Sequence, residues 1–587
     1  MLKSTAEYLK EYRSFQPDKD AMRIAVLASF TLQGMSQVLT VRCKEKGISV
    51  TCYDAPYNQY AQEIIDEKSG LYEFNPDAVI LCIDTRSLFG DYLMYAHTYT
   101  PEQRREIINK KKTYVTELVN MLASRSKSKI LLMNNEQPQH TVLGIIDSKQ
   151  DYGLRQSIAD YNEQVRAAYE KSSQVFIVDF AQFCTRYGSN VFDPKMYYLA
   201  DMKISPAYFP QLCDEYIPYI VAFKAKSRKC IVLDLDNTLW GGILGEDGLE
   251  WIKLGPTPDG RPFLEFQQCL HALFHRGMLL AVNSKNNMDD VREVFARHPY
   301  QVLKEEHFAA LRINWEDKAS NIKSIAEELN IGVDSMVFLD DDPVQCSLVQ
   351  SQLPDVHVIQ LNDPSRSIDS LMSLPEFAVL QFTDEDKSKG KMYVEQRKRL
   401  ELRQSVSIDD FLRGLKMKVV IQRADSFTMP RIAQLTQKTN QFNMTTKRYT
   451  EQEIAAFAAS GLVASVAVKD TFGDNGIIGT VIVEKGELKP GTQSTWKIDT
   501  FLLSCRIIGR KIEDALLAYI LKCAAKESVK EIIAEFIPTK KNKVAENFYK
   551  NNGFALAEKR DGKEVWAYYL HDAKPGKYPE FIDIEEK

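Results

Sequence analysis

The sequence predicts an α/β protein of several domains, two on parallel sheets and a third of mixed α+β character. Three observations carry this. Apolar, strand-like runs alternate with amphipathic helical segments through the first two thirds of the chain, a pattern that gives parallel sheets covered by helices. In the middle stretch three such runs end in Asp, Ser and Asp. After a charged stretch, "KSKGKMYVEQRKRLELRQ", the pattern changes to two strands flanking a Gly/Asp turn.

The elements follow in order. "RIAVLAS", "DAVILCID", "SKILLMNN" and "QVFIVDF" are buried strand candidates, with helical segments such as "KKKTYVTELVNMLASR" between them. This first block closes near "YIPYIVAFKAKSRK", giving a domain over residues 1–225. "CIVLDLD", "LLAVNS" and "SMVFLD" are the strands of a second domain, 226–375. Residues 376–410 read as a helical linker, and 411–587 as the α+β domain. There "RYTEQEIAAF" opens a helix on a Thr450/Glu453 capping box. "LVASVAVKD" and "GIIGTVIVEK" form a hairpin around "TFGDNG", and "NKVAENFYKNNGF" is expected as a helix ending at Gly553.

With 587 residues the chain exceeds one compact core, and roughly two to four domains are expected. A hydrophobic share of 44% and a charged share of 26% are those of a globular protein. A net charge of -5 leaves no electrostatic footprint for nucleic acid. No apolar run is long enough for a membrane span, and the N-terminus lacks the apolar stretch of a signal peptide. The ten cysteines contain no CxxC pair, which suits a reducing cytoplasm better than a disulfide framework or a zinc site.

The chemistry concentrates in "IVLDLDNTLWGG", residues 231–242. Asp234 and Asp236 stand two apart at a strand end, a spacing that places both on one side of a regular strand. Two carboxylates facing one pocket repel, so a cation or a shared proton is required, and magnesium suits oxygen ligands. The strands of an open α/β sheet present ligands at their carboxyl ends, where Asp234, Ser284 and Asp340 all lie. A turn with a solvated Asp pair would account for one such ending but not for three.

Asp234-Leu235-Asp236-Asn237-Thr238 resembles the first motif, Asp-x-Asp-x-Thr, of the haloacid dehalogenase superfamily. Ser284, Lys318 and the pair Asp340/Asp341 match its other three motifs, in order. The resemblance implies a Rossmann-like phosphatase core in which Asp234 attacks phosphorus and forms an aspartyl phosphate. Asp236 is then the general acid and afterwards the base for water. Thr238, Ser284 and Lys318 bind phosphoryl oxygens. Magnesium is held by Asp234, the carbonyl of Asp236 and Asp341, while Asp340 orients Lys318 or assists the metal. The short segment between the first two motifs implies an open site without a large cap.

"VLDLDNTLWGGILGEDG", "NSKNN", "FLDDDP", "LTQKTNQFNMTTKRYT" and "LSCRIIGRKIEDALL" resemble the FkbH-like, type IIIC branch more narrowly. This implies removal of phosphate from a phosphorylated three-carbon acid, with loading of the glyceryl unit onto an acyl carrier protein thiol. The C-terminal block resembles the GCN5-related acetyltransferase fold, with Arg506-Ile507-Ile508-Gly509-Arg510-Lys511 as its pyrophosphate loop. Lys511 replaces that pattern's last small residue. Arg506, Gly509 and Arg510 are expected to hold a phosphopantetheine arm. Cys505 is the candidate acyl carrier; a buried, inert thiol is the competing reading. Asn440, Gln441 and Asn443 are expected to line an acceptor pocket, against a role in a capped helix end.

The N-terminal block resembles SGNH hydrolases, with Ser29 after the first strand and Asp201 in the late Asp-x-x-His position. Ile204 stands where the catalytic histidine should be, so Ser29 and Asp201 read as vestigial and the domain as a binding module. The expectation is a cytoplasmic, magnesium-dependent phosphatase with acyl transfer to a carrier protein, and with neither nucleic acid nor a membrane as partner. A plain phosphatase on a small sugar or hydroxyacid phosphate, and a carrier-docking scaffold, are the alternatives.

Overall fold

The computed structural model describes residues 2–382, 384–403, 408–486, 494–504, 507–539, 541–560, 562–570 and 577–587. The chain divides into two compact units. One holds Met1–Lys226 with Ala378–Leu380, the other Ser227–Phe377 with Gln381–Lys587.

The first unit is built on a five-stranded parallel sheet of β1 (Met22–Ala28), β2 (Val50–Asp54), β3 (Ala78–Cys82), β4 (Lys129–Met133) and β5 (Val175–Val178). Its order is β2-β1-β3-β4-β5. Helices cover both faces. Met35–Glu45 and Phe209–Phe223 pack on one, and Pro101–Arg125 with Leu154–Tyr169 on the other. β3 is buried at every position, as a strand covered on both faces must be.

The second unit contains two sheets. The first is again parallel, with β6 (Cys230–Leu233), β7 (Leu279–Ser284), β8 (Phe308–Ile313), β9 (Met336–Asp340) and β10 (His357–Gln360) in the order β10-β9-β6-β7-β8. β6, β7 and β9 are buried throughout. These three runs are apolar up to their ends and close on Leu233, Asn283–Ser284 and Asp340. Neighbours of β6 depart in opposite directions, so the crevice beyond the ends of β6 and β9 is a topological switch point.

The other sheet is mixed. It comprises β11 (Lys418–Arg423), β12 (Phe442–Asn443), β13 (Leu462–Asp470), β14 (Gly473–Lys485), β15 (Thr495–Leu503), β16 (Glu531–Phe536), β17 (Ala555–Arg560), β18 (Lys563–Tyr569) and β19 (Asp583–Glu586). The predicted hairpin is β13–β14, antiparallel with two register irregularities. β15 pairs with β16 in parallel, and helix Ile512–Lys526 packs in the same core. The stretch expected as a spacer contains helix Asp384–Arg403, whose Met392, Tyr393 and Val394 are buried and whose Tyr393 joins the core under the second parallel sheet. The helix expected over 542–553 is reduced to a 3-10 turn and one helical turn, Phe548–Asn551. Asn542 explains the break: fully buried, it donates to the carbonyls of Asn443 and Ile537, both at 2.9 Å, and so ties the chain across the sheet.

Candidate phosphoryl-transfer site

Asp234 follows β6 and Asp340 ends β9, so adjacent parallel strands deliver two acids to one crevice. Lys318, the first residue of helix Lys318–Leu329, reaches them from the side. Its Nζ lies 2.8 Å from Asp234 Oδ1 and 2.6 Å from Asp340 Oδ2. Asp317 caps that helix by accepting from the Ser320 N–H at 2.9 Å, which fixes where Lys318 begins. Asp340 also accepts from the Asp342 N–H at 2.9 Å.

Carboxylate oxygens of Asp234, Asp340 and Asp341 lie within 4.8 Å of one another. Burial and the charge of Asp234 push Asp340 up to about 6 despite Lys318. The same two causes raise Asp341. Burial opposes the charge of Lys318, but Asp234 and Asp340 hold its ammonium above the ordinary value. Three acids face one ammonium in this pocket, an excess of acidic over basic groups. A hard divalent cation meets that excess, and all three donors are oxygens of the kind magnesium takes. The residues present therefore fit the expected metal, with Asp340 more committed to Lys318 than Asp234 and Asp341 are.

Asp236 is the nearby acid whose carboxylate stands outside that triad. Its Oδ1 accepts from Trp240 Nε1 at 2.9 Å and from the Leu244 N–H at 3.1 Å, and its Oδ2 from Asn286 Nδ2 at 2.9 Å. Three donors fix its direction. The turn between Asp236 and Trp240 needs Asn237 in the left-handed region, φ 51°, and Asn237 Oδ1 accepts from the Gly242 N–H at 2.9 Å. Gly242 has φ 95°, and a Cβ there would meet the Asp247 carboxylate at 2.5 Å. The tight exit loop is thus imposed by "WGG" itself.

Ser284, at the end of β7, is buried and its Oγ accepts from Asn286 Nδ2 at 3.2 Å, leaving its proton for a ligand. Thr238 Oγ1 is buried without a hydrogen-bond partner among the described residues. Sequence reasoning missed the asparagines that hold this frame. Asn283 Nδ2 donates to the Lys318 carbonyl at 2.9 Å, and Asn321 Nδ2 donates to Asn283 Oδ1 at 3.0 Å and Asn314 Oδ1 at 2.9 Å. The signal was present in "NSKNN", where Asn286 also lies.

The C-terminal expectations fare differently. Cys505 and Arg506 lie outside the described residues. Gly509 is exposed with φ 80° and open space where a Cβ would stand. Arg510 corrects the prediction: it is 4% exposed, its Nη1 lies 3.1 Å from Asp470 Oδ2, and it also binds Gln396. Asp470 is shared with buried Arg399 at 2.7 Å, so Arg510 is a core ion-pair residue rather than a free phosphate ligand. Asn443 is likewise corrected. It is fully buried, and accepts from the Thr445 and Thr446 N–H groups while donating to the Thr439 carbonyl. Asn440 accepts from Arg448, and Gln441 Oε1 is buried without a partner among the described residues. In the first unit Ser29 is buried and its Oγ accepts from the Asp84 N–H at 2.8 Å. Asp201 is exposed, accepts from Tyr57, and has φ 47°. Ile204 is fully buried.

The fold and site together define an α/β protein with an acidic pocket at the switch point of a parallel sheet. Residues 23–221 match the family model described as FkbH, N-terminal domain. The chain is similar to the N-terminal part of the protein BF1531 from Bacteroides fragilis, whose crystal structure is described as containing a phosphatase domain complexed with Mg. Identity is 29%, the match covers 65% of this chain and 100% of that one, and the TM-score is 0.59. Two acetyltransferase structures each match over 26% of this chain with a TM-score of 0.21. One is Naa50 of Arabidopsis thaliana in complex with a bisubstrate analogue, at 17% identity and 99% of its length. The other is a GNAT-family enzyme of Listeria monocytogenes, at 14% identity and 95% of its length. No curated protein matches the chain. Among the described residues no helix is long and apolar enough to cross a membrane.

Proposed function

We propose that the second unit is a phosphatase working through Asp234. One observation carries this reading: Asp234 directly follows a buried strand, held by Lys318 at 2.8 Å, with Asp341 in the same carboxylate cluster. The similarity to the magnesium-bound phosphatase domain of BF1531 supports it. A carboxylate oxygen of Asp234 attacks phosphorus as the bond to the leaving oxygen breaks. Asp236, aimed by Trp240, Leu244 and Asn286, gives the leaving oxygen its proton. Water then attacks the phosphoryl group, Asp236 takes the water's proton, and the Asp234 carboxylate leaves. Lys318, Ser284 and Thr238 bind the phosphoryl oxygens. Asp234, Asp341 and the carbonyl of Asp236 would hold magnesium, which neutralises charge on the group being transferred.

The finer reading is transfer of a glyceryl-type unit from a phosphorylated three-carbon donor to an acyl carrier protein, with Cys505 as intermediate carrier. The match of residues 23–221 to the FkbH N-terminal domain supports it. Intact-protein mass spectrometry tests both levels. The full chain is mixed with magnesium, a three-carbon acyl phosphate and a phosphopantetheinylated carrier. A glyceryl-sized gain on the carrier, lost in Cys505→Ser, supports transfer. Phosphate release without any gain leaves a plain phosphatase, and no phosphate release removes both.

A further inference from the structure

The first unit carries a second cleft, of about 300 Å³, at the small end of the range for ligand pockets. It lies beyond the carboxyl ends of β1, β2 and β3, lined by Ser29 and Asn58 from the loops after β1 and β2 and by Arg86 from the short helix Thr85–Phe89 after β3. In the order β2-β1-β3-β4-β5 the crevice between β1 and β3 is the switch point, the place where an open parallel sheet receives a ligand. Topology and cavity agree independently.

Its chemistry is specific. The Arg86 guanidinium lies 5.2 Å from the Tyr197 ring centre and 5.1 Å from that of Tyr198, exposed and with no carboxylate opposite it among the described residues. Stacking fixes the fork, the Tyr197 and Tyr198 hydroxyls take part of its hydrogen-bonding capacity, and the rest of its five donors are left for an anion. Asp201 faces the same cleft. One of its oxygens accepts from Tyr57, and the other has no donor among the described residues. Asn58, Ser87, Tyr57 and Tyr198 complete its lining, with the Ser87 hydroxyl donating to Asp84 at 3.4 Å. Asn58 and Asp201 both hold left-handed backbone, φ 53° and 47°, a strain that gathers at ligand sites.

Two observations argue for binding without hydrolysis. Ser29 has no histidine beside it in the cleft, and the residue in the expected position, Ile204, is in the core. The nearby base, Lys203, is buried between Asp84 and Glu136, 2.6 Å from Glu136 Oε1, and so remains protonated. That lysine also occupies the two acids behind the cleft, which leaves Arg86 for a charge from outside.

We infer that this cleft binds a hydroxylated small molecule of sugar size bearing one acidic group, its anion on Arg86 and a hydroxyl on Asp201. This goes beyond the phosphatase reading and does not depend on it.

Calorimetric titration of the full chain tests the inference, with glucuronate, glucose 6-phosphate and uncharged methyl glucoside as probes. The two acidic probes separate a carboxylate from a phosphate source. At least one should bind about tenfold more tightly than methyl glucoside, the worth of one charge-assisted hydrogen bond. Arg86→Gln should abolish that gap while phosphate release stays unchanged; Arg86 is exposed, so folding is not at stake. Asp201→Asn should weaken every probe. For glucose 6-phosphate, the gap must persist in Asp234→Asn, which separates this cleft from the phosphatase pocket. Absence of millimolar binding by both acidic probes, or equal binding in Arg86→Gln, overturns the inference.

Discussion

Two buried lysines, one in each unit, make opposite uses of the same geometry. Lys203 sits between Asp84 and Glu136, and Lys318 between Asp234 and Asp340. Each is nearly inaccessible, each bridges two acids, and each lies at the carboxyl edge of a parallel sheet. The difference is what surrounds the trio. Around Lys203 the acids are spent within the protein. Tyr197 donates to Asp84 at 2.8 Å and the Ser87 N–H at 3.1 Å, while Thr85 donates to Glu136 at 2.6 Å. Around Lys318 a third acid, Asp341, joins the cluster, and Thr238 Oγ1 remains unpartnered. A buried ion pair is thus a lock when its hydrogen bonds close within the chain, and a reaction site when charge and polar atoms are left over for a ligand.

The comparison can be broken from either side. The largest effect belongs to Asp234→Asn, which should reduce phosphate release to background while circular dichroism shows an unchanged fold. Lys318→Met should lower kcat by roughly 10²–10³, the loss expected for one preorganised electrostatic donor. Lys203→Met should do the reverse. Leaving Asp84 and Glu136 buried and unpaired costs about 3–5 kcal/mol of first-unit stability, read by denaturant titration, with phosphate release from the second unit untouched. If Lys203→Met instead abolishes turnover and spares stability, the contrast between lock and reaction site is lost.

The lock also has a defined pH window. Burial works against the ionised form of Asp84, but Lys203 holds it below its ordinary value of 3.8, so its contribution is present above that pH and is lost as pH falls through the lowered value. Burial likewise opposes the charge of Lys203, yet Glu136 and Asp84 raise it above the ordinary 10.5. Its contribution is complete below that pH and is lost as pH rises through the raised value. First-unit stability from Asp84 and Lys203 should be level between those limits in pH-dependent denaturation; a loss near neutrality would contradict it. Two smaller effects sharpen the other side. Magnesium at a hundredfold excess over its Kd should stabilise the second unit by about 2.7 kcal/mol, seen as a higher melting temperature that Asp341→Asn removes. Asn286→Ala should cost about tenfold in kcat, since one hydrogen bond aiming Asp236 is lost.

Much of this was legible in the sequence where strands are buried on both faces. The runs of β1, β3, β6, β7 and β9 are largely apolar, so both their existence and their polar exits could be read. The edge strands β2, β8 and β10 escaped notice because they mix polar residues such as Asp54, Arg312 and Gln360 into partly exposed runs. Asp234, Ser284, Lys318, Asp340 and Asp341 were legible as motif positions. Sequence spacing did not show that Asp236 turns to Trp240 and Asn286, because that depends on the left-handed turn at Asn237. Nor did it show that Arg510 is spent on Asp470, a partner 40 residues away across the mixed sheet. Lys203 was one letter in a failed histidine pattern, and only the fold brings it to Asp84.

The most direct test of the central claim is to look for the covalent phosphate. The full chain is mixed briefly with magnesium and phosphorylated three-carbon acids or sugars, quenched in acid, and treated with borohydride, which reduces an acyl phosphate to an alcohol. Peptide mass spectrometry should then find the altered side chain at position 234 in the wild type, and none in Asp234→Asn. Turnover with no altered residue, or with the alteration at Asp236, would contradict the account.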